Sequence, residues 1–118
     1  MNPVEKLWSL FDQFKFEETA DLFHDEFIMI WPQTRELIRG RKNFILLNLN
    51  YPGKWRCQIK KMVVEGDEIS AEIHITDGNE VVICVGFYTL KDGKIWRGRE
   101  FWPTPYDAPK GREEWVEF

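Results

Sequence analysis

Three side chains of types that move protons stand in strand-like segments and could share one inward face. Glu72 and His74 stand two residues apart in AEIHIT, and Glu100 sits in IWRGREFWP, residues 95–103. A strand sends alternate side chains to opposite faces. Counted from Trp96, one face carries Trp96, Gly98, Glu100 and Trp102, and the other carries Ile95, Arg97, Arg99 and Phe101. A carboxylate among tryptophans is costly unless the face lines a pocket. The same count puts Glu72, His74 and Thr76 on one face, so Glu72, His74 and Glu100 are expected to converge as a catalytic group. A histidine exchanges a proton near neutral pH, and a neighbouring carboxylate orients its ring. A second carboxyl in an apolar wall has its pKa raised by desolvation and can serve as an acid. The same residues also read as a buried ion pair, or as solvent-facing groups if the register slips by one residue.

Trp31, Tyr51, Trp55, Trp96, Trp102 and Tyr106 are the candidate ligand-binding wall. Each also reads as ordinary core. Glu36 and Arg39 are expected to form an ion pair holding a loop, Arg97 and Arg99 to make contacts with a second copy, and His24 to lie on the surface. The two histidines and two cysteines lack metal-site spacing, and no glycine-rich phosphate loop or serine elbow is present. No cofactor and no metal are expected.

The elements that must position these groups follow from periodicity. Asn2, Pro3 and Glu5 form a helix start, and Val4, Leu7, Trp8, Phe11 and Phe14 recur at helical spacing. Helices are expected at 3–14, 16–23 and 41–51. EFIMIWP reads as a short strand stopped by Pro32, and QTRELIRG as a loop or hairpin. From 55 to 102 the pattern becomes four antiparallel strands, with turns at Glu65-Gly66-Asp67, Asp77-Gly78-Asn79 and Lys91-Asp92-Gly93-Lys94. The rest is expected to be irregular, with Trp115 and Phe118 packed. Helices followed by strands make an α+β domain over residues 1–118.

The 118 residues carry a net charge of −4 without a basic cluster, which disfavours nucleic acid. The sequence shows no membrane-spanning run of about 20 apolar residues and no secretion signal at its start. A cytoplasmic location is expected, with Cys57 and Cys84 reduced. Aromatic residues reach 15%, enough for a large core and for surplus aromatic surface. Strands such as EVVICVGFYTL are apolar on both faces, while three helices cover only one, so a homodimer through the sheet is expected.

The element order, with WPQTRELIRGRKNF, LKDGKIWRGREFWP and YDAPKGREEWVE, resembles the SnoaL-like branch of the nuclear transport factor 2-like superfamily, which includes ketosteroid isomerase. The resemblance covers nearly the whole chain. It implies a cystatin-like cone of helices on a strongly curved antiparallel sheet, a pocket at the wide end, and a homodimer. Limonene epoxide hydrolase, in the same superfamily, has an acid where Glu100 stands. Its Arg-x-Asp pair corresponds to Glu72 and His74, and the loss of its arginine argues against epoxide hydrolysis by that triad. No tyrosine on the first helix matches the one ketosteroid isomerase needs; Trp8 and Phe11 stand there instead. The expected function is binding of a small apolar oxygenated molecule, with isomerase, dehydratase, cyclase or hydrolase chemistry by general acid–base catalysis. The alternatives are a non-catalytic ligand-binding module and a structural dimerisation module.

Overall fold

The computed structural model describes residues 1–118. Helix α1 spans Pro3–Asp12 and starts as its sequence dictates: the Asn2 side chain accepts from the Glu5 N–H at 2.9 Å, and Glu5 accepts from the Asn2 N–H at 3.1 Å. This reciprocal cap satisfies two of the orphan donors of the first turn. A 3-10 turn follows at Glu17–Leu22, then β1 (Phe23–Trp31), β2 (Glu36–Arg39), α2 (Arg41–Leu49), β3 (Arg56–Glu65), β4 (Glu68–Thr76), β5 (Val81–Lys91) and β6 (Lys94–Phe101). The second expected helix is thus a 3-10 turn, and Phe23 already belongs to a strand.

The six strands form one sheet in the order β2-β1-β6-β5-β4-β3. The β3–β6 meander is antiparallel, as the turns predict. The first strand lies beside the last and runs parallel to it, so the sheet is mixed rather than wholly antiparallel. The segment expected as a loop or hairpin pairs back on β1 as β2.

One sheet face is the core. Ile69, Ala71, Ile73 and Ile75 of β4 point into it, beside Cys84 and Tyr88 of β5 and Phe27 and Met29 of β1. Val4, Leu7, Trp8 and Phe11 of α1 cover this face with Phe44 and Ile45 of α2. Asp12 ties the end of α1 to β3: it accepts from Arg56 Nε at 2.8 Å and from the Cys57 N–H at 2.9 Å. No helix is long and apolar enough to cross a membrane.

A bulge in β6 changes the expected facing. Thr89 pairs with Arg97 and Leu90 with Ile95, so Trp96 is the extra residue. An extra residue interrupts the alternation. Ile95, Gly98 and Glu100 are buried, while Trp96 leaves the face of Glu100 and takes the Arg97 guanidinium 4.0 Å from its ring centroid, with Lys91 at 5.1 Å.

Candidate functional site

Glu100 is the buried acid of this protein, 1% exposed, and it has no cation beside it. The Tyr88 hydroxyl donates to its Oε2 at 2.6 Å, and the Trp31 indole N–H donates to its Oε1 at 3.0 Å. The Trp8 indole N–H donates in turn to the Tyr88 hydroxyl at 3.3 Å. Four elements therefore meet at one carboxyl: α1, β1, β5 and β6. Desolvation raises the pKa of Glu100 above the ordinary carboxylate range, and the Tyr88 and Trp31 donors oppose that rise. Burial raises the Tyr88 phenol too, and the neighbouring Glu100 adds to it. A short bond between two buried groups that both resist ionisation lies in low-dielectric surroundings, where electrostatic interactions are stronger than in water.

Two glycines make the space. Gly86 pairs with Glu100 and Gly98 with Tyr88. A methyl group on Gly86 would lie 2.2 Å from the Tyr88 hydroxyl oxygen, and one on Gly98 would lie 2.4 Å from Met29 Cε. Glycine inside a strand often marks such close approach. Trp31 stands at 6.2 Å and 88° to Trp102, and 6.3 Å from Phe44. Both tryptophans are half-buried, so they separate Glu100 from the surface.

The expected convergence of three polar groups does not occur. Glu72 pairs across β5 with Val85 and His74 with Ile83, whereas Glu100 shares its face with Ala71 and Gly86. Glu72 and His74 thus lie on the outer face of the sheet. There His74 Nε2 is 2.6 Å from Glu72 Oε2, with side chains 30% and 44% exposed. The reason is elementary: Ile69, Ala71, Ile73 and Ile75 alternate with them, and burying four apolar side chains outweighs burying a histidine and a glutamate. His74 also borders an open concavity of about 470 Å³ with Asp12, Arg56 and Thr76.

Of the expected aromatic wall, Trp31 and Trp102 stand at the site. Tyr51 and Trp55 pair with each other at 6.1 Å, Trp96 is at the bulge, and Tyr106 is 89% exposed. Glu36 and Arg39 belong to β2 and make no ion pair; it is Arg41 that pairs, with Asp25. His24 lies at the start of β1, its side chain only 15% exposed, with Asp92 at 3.5 Å. Tyr88 and Trp8 were missed as site residues. The available signal was the pair of strand glycines, Gly86 two residues before Tyr88 and Gly98 two before Glu100.

Neither thiol suits nucleophilic chemistry. Burial, with Asp12 adding to it, pushes the Cys57 thiol up to about 12, and burial raises Cys84 as well. The thiolate is the reactive form. We expect neither to be alkylated by iodoacetamide at pH 8 while folded, and both to react once the chain is denatured. Rapid labelling of the native protein would contradict the burial.

The SnoaL-like domain family matches residues 4–98. A crystal structure of a candidate ketosteroid isomerase from Kribbella flavida is 31% identical, with a TM-score of 0.93 over 98% of this chain and 86% of that one. An NTF-2-like protein of unknown function from Burkholderia xenovorans is 25% identical, with a TM-score of 0.83 over 98% and 91%. An LEH-like epoxide hydrolase from M. tuberculosis is 19% identical, with a TM-score of 0.68 over 86% and 80%, and shares the fold. No curated protein sequence matches the chain. Helices on one face of a curved six-stranded sheet, a family match over most of the length and a 31% identical structure lead to one conclusion: the chain belongs to the SnoaL-like domain family.

Proposed function

We propose that the chain binds a small, mostly apolar, oxygenated molecule over Glu100, and that Glu100 with Tyr88 supplies general acid–base chemistry of the isomerase, dehydratase, cyclase or hydrolase kind. The observation that carries this is the buried, cation-free Glu100 bonded to Tyr88 at 2.6 Å. A carboxyl in the core without a cation costs stability even when hydrogen-bonded, and such groups cluster at functional sites. Similarity to a candidate ketosteroid isomerase and to a SnoaL-like polyketide cyclase candidate from Jannaschia supports small-molecule chemistry. In this reading a ligand oxygen enters past Trp31 and Trp102 and takes a hydrogen bond from protonated Glu100 or from Tyr88. The apolar skeleton packs on the two indoles. Glu72 and His74 take no part in the step, because they lie across the sheet.

A second reading is a structural module with a filled cone. It is favoured by the packing of Trp31 against Trp102 and Phe44, and by the fact that both oxygens of Glu100 already have donors. A thermal-shift screen of small hydrophobic alcohols, lactones and ketones separates the two. On the first reading at least one compound raises the melting temperature of wild type, and Tyr88→Phe abolishes that rise. If no compound stabilises the protein, the filled-cone reading replaces the first; if Tyr88→Phe responds as wild type does, the ligand does not rest on Tyr88 and the first reading fails as stated.

The proposal includes a homodimer through the outer sheet face. That face exposes Val81, Phe87 and Ile30, with Ile83, Val85 and Phe101 half-buried among them. We expect a dimer at micromolar concentration by sedimentation, burying at least about 1,200 Å² in total, the lower range for a stable interface. A monomer under those conditions would rule it out.

A further inference from the structure

The segment after β6 was expected to pack its aromatic residues, and it does not. Residues 103–118 are exposed throughout, with Trp115 at 77% and Phe118 at 99%. Leaving such side chains in water forgoes the largest apolar burial available to any residue type. Yet the segment has a counterpart in a similar structure. It makes up 16 of the 118 residues (103 through 118), so the 98% match to the Kribbella flavida structure takes in most of it. A segment matched in a similar structure, yet exposed along its own chain, has apolar surface to place elsewhere.

The chain carries the complementary surface. A concavity of about 820 Å³ lies between edge strand β2 and helix α2, lined in part by Leu37, Arg39, Leu46, Leu47 and Tyr51. These leucines are 41–53% exposed and Tyr51 is 64% exposed. Arg39 makes no ion pair, and neither do Glu114 and Glu117, which flank the exposed Trp115 and Phe118. Glu36 borders the same groove, so the acidic end of the segment fits only toward Arg39. A groove of mixed lining, apolar at its leucines and carrying a free cation, and an aromatic segment with free carboxylates stand open in one structure.

We infer that residues 103–118 form an exchanged arm: Trp115 and Phe118 of one copy seat in the β2–α2 groove of a second copy, with Glu114 and Glu117 beside Arg39. This inference rests on the proposed dimer and names a second contact in it. Two-fold symmetry makes the contact twice, once in each direction. Val85 lies on β5, separated from β2 by β1 and β6, so it probes the sheet contact apart from the groove, which meets the outer face at Leu37 beside Ile30.

Sedimentation of full-length variants tests it. Trp115 and Phe118 are exposed, so Trp115→Ala with Phe118→Ala leaves the monomer intact. This pair is expected to weaken self-association about tenfold or more, as loss of buried aromatic anchors does. Arg39→Glu should weaken it too, and adding Glu114→Lys with Glu117→Lys should restore it. Val85→Glu serves as the separate test of the sheet contact. If Val85→Glu dissociates the dimer and the arm variants associate like wild type, the arm inference is wrong and the sheet dimer stands. If only the arm variants dissociate it, the arm stands and the sheet contact is wrong. A wild-type monomer overturns both. Arm docking within one chain, which would lower the melting temperature of the arm variants without changing the mass, overturns the arm inference alone.

Discussion

Gly86→Ala is expected to destabilise the fold by about 3 kcal/mol, an unusual cost for adding one methyl group. The added carbon would lie 2.2 Å from the Tyr88 hydroxyl oxygen, 2.5 Å from Cζ and 2.7 Å from Cε2. Tyr88 is 1% exposed, its ring is stiff, and its hydroxyl is held by both Trp8 and Glu100. Overpacking of this kind costs roughly 1–3 kcal/mol. Displacing the phenol also strips Glu100 of its closest donor, and an unsatisfied buried polar group costs about 1–3 kcal/mol more. The better strand tendency of alanine offsets only about 0.5–1 kcal/mol. Gly98→Ala is the control. Its added carbon would meet Met29 Cε at 2.4 Å and Sδ at 2.9 Å, and methionine has three rotatable bonds with which to move away. Urea unfolding of the two variants should therefore show a clearly larger loss at Gly86. Equal losses would mean that Tyr88 is not locked where the hydrogen bonds place it.

Glu100→Gln is expected to change how stability depends on pH. The folded chain holds the proton on Glu100 above the ordinary value of 4.5, chiefly because burial disfavours the anion. The unfolded chain releases it near that value. Between the two pKa values the unfolded state binds fewer protons than the folded one, so wild-type stability falls as pH rises. Above the folded pKa the penalty is complete and constant. Each unit between the two values is worth about 1.4 kcal/mol. Glutamine cannot ionise, so this slope disappears in the variant. At pH 4 the acid has the advantage, because both its oxygens accept, from Tyr88 and from Trp31, whereas the amide replaces one acceptor with an NH2 group. That advantage should shrink as the pH is raised past 4.5. Denaturant melts of both proteins across pH 4–8 measure it. A wild-type advantage that grows with pH would mean that the two donors stabilise the anion more than burial penalises it.

Each element is legible in the sequence as far as its physical signal is local. Helix α1 was legible residue by residue, because Asn2, Pro3 and Glu5 act within one turn of one another and the apolar stripe from Val4 to Phe11 is local. The β3–β6 meander was legible for the same reason: its turns and alternation are short-range, and neighbouring strands pair. Glu100 was identifiable as an inward acid. What surrounds it was not. Tyr88, Trp31 and Trp8 reach it across 12, 69 and, through Tyr88, 80 residues of sequence, and nothing local announces such partners. The bulge at Trp96 turned that ring away from Glu100, although strict alternation put the two together. Glu72 and His74 went outward because the isoleucines between them went inward, a choice made by the helices that cover only one face.

The sequence by itself determined the α+β class, the helix starts, the hairpin turns and the acid in the last strand, since each rests on contacts within a few residues. Only the tertiary structure decided that β1 runs parallel to β6, that β2 returns along β1, that Tyr88 and Trp31 close on Glu100, and that residues 103–118 stand free. Those outcomes depend on which distant surfaces can be buried together, and burial is a property of the whole packed chain.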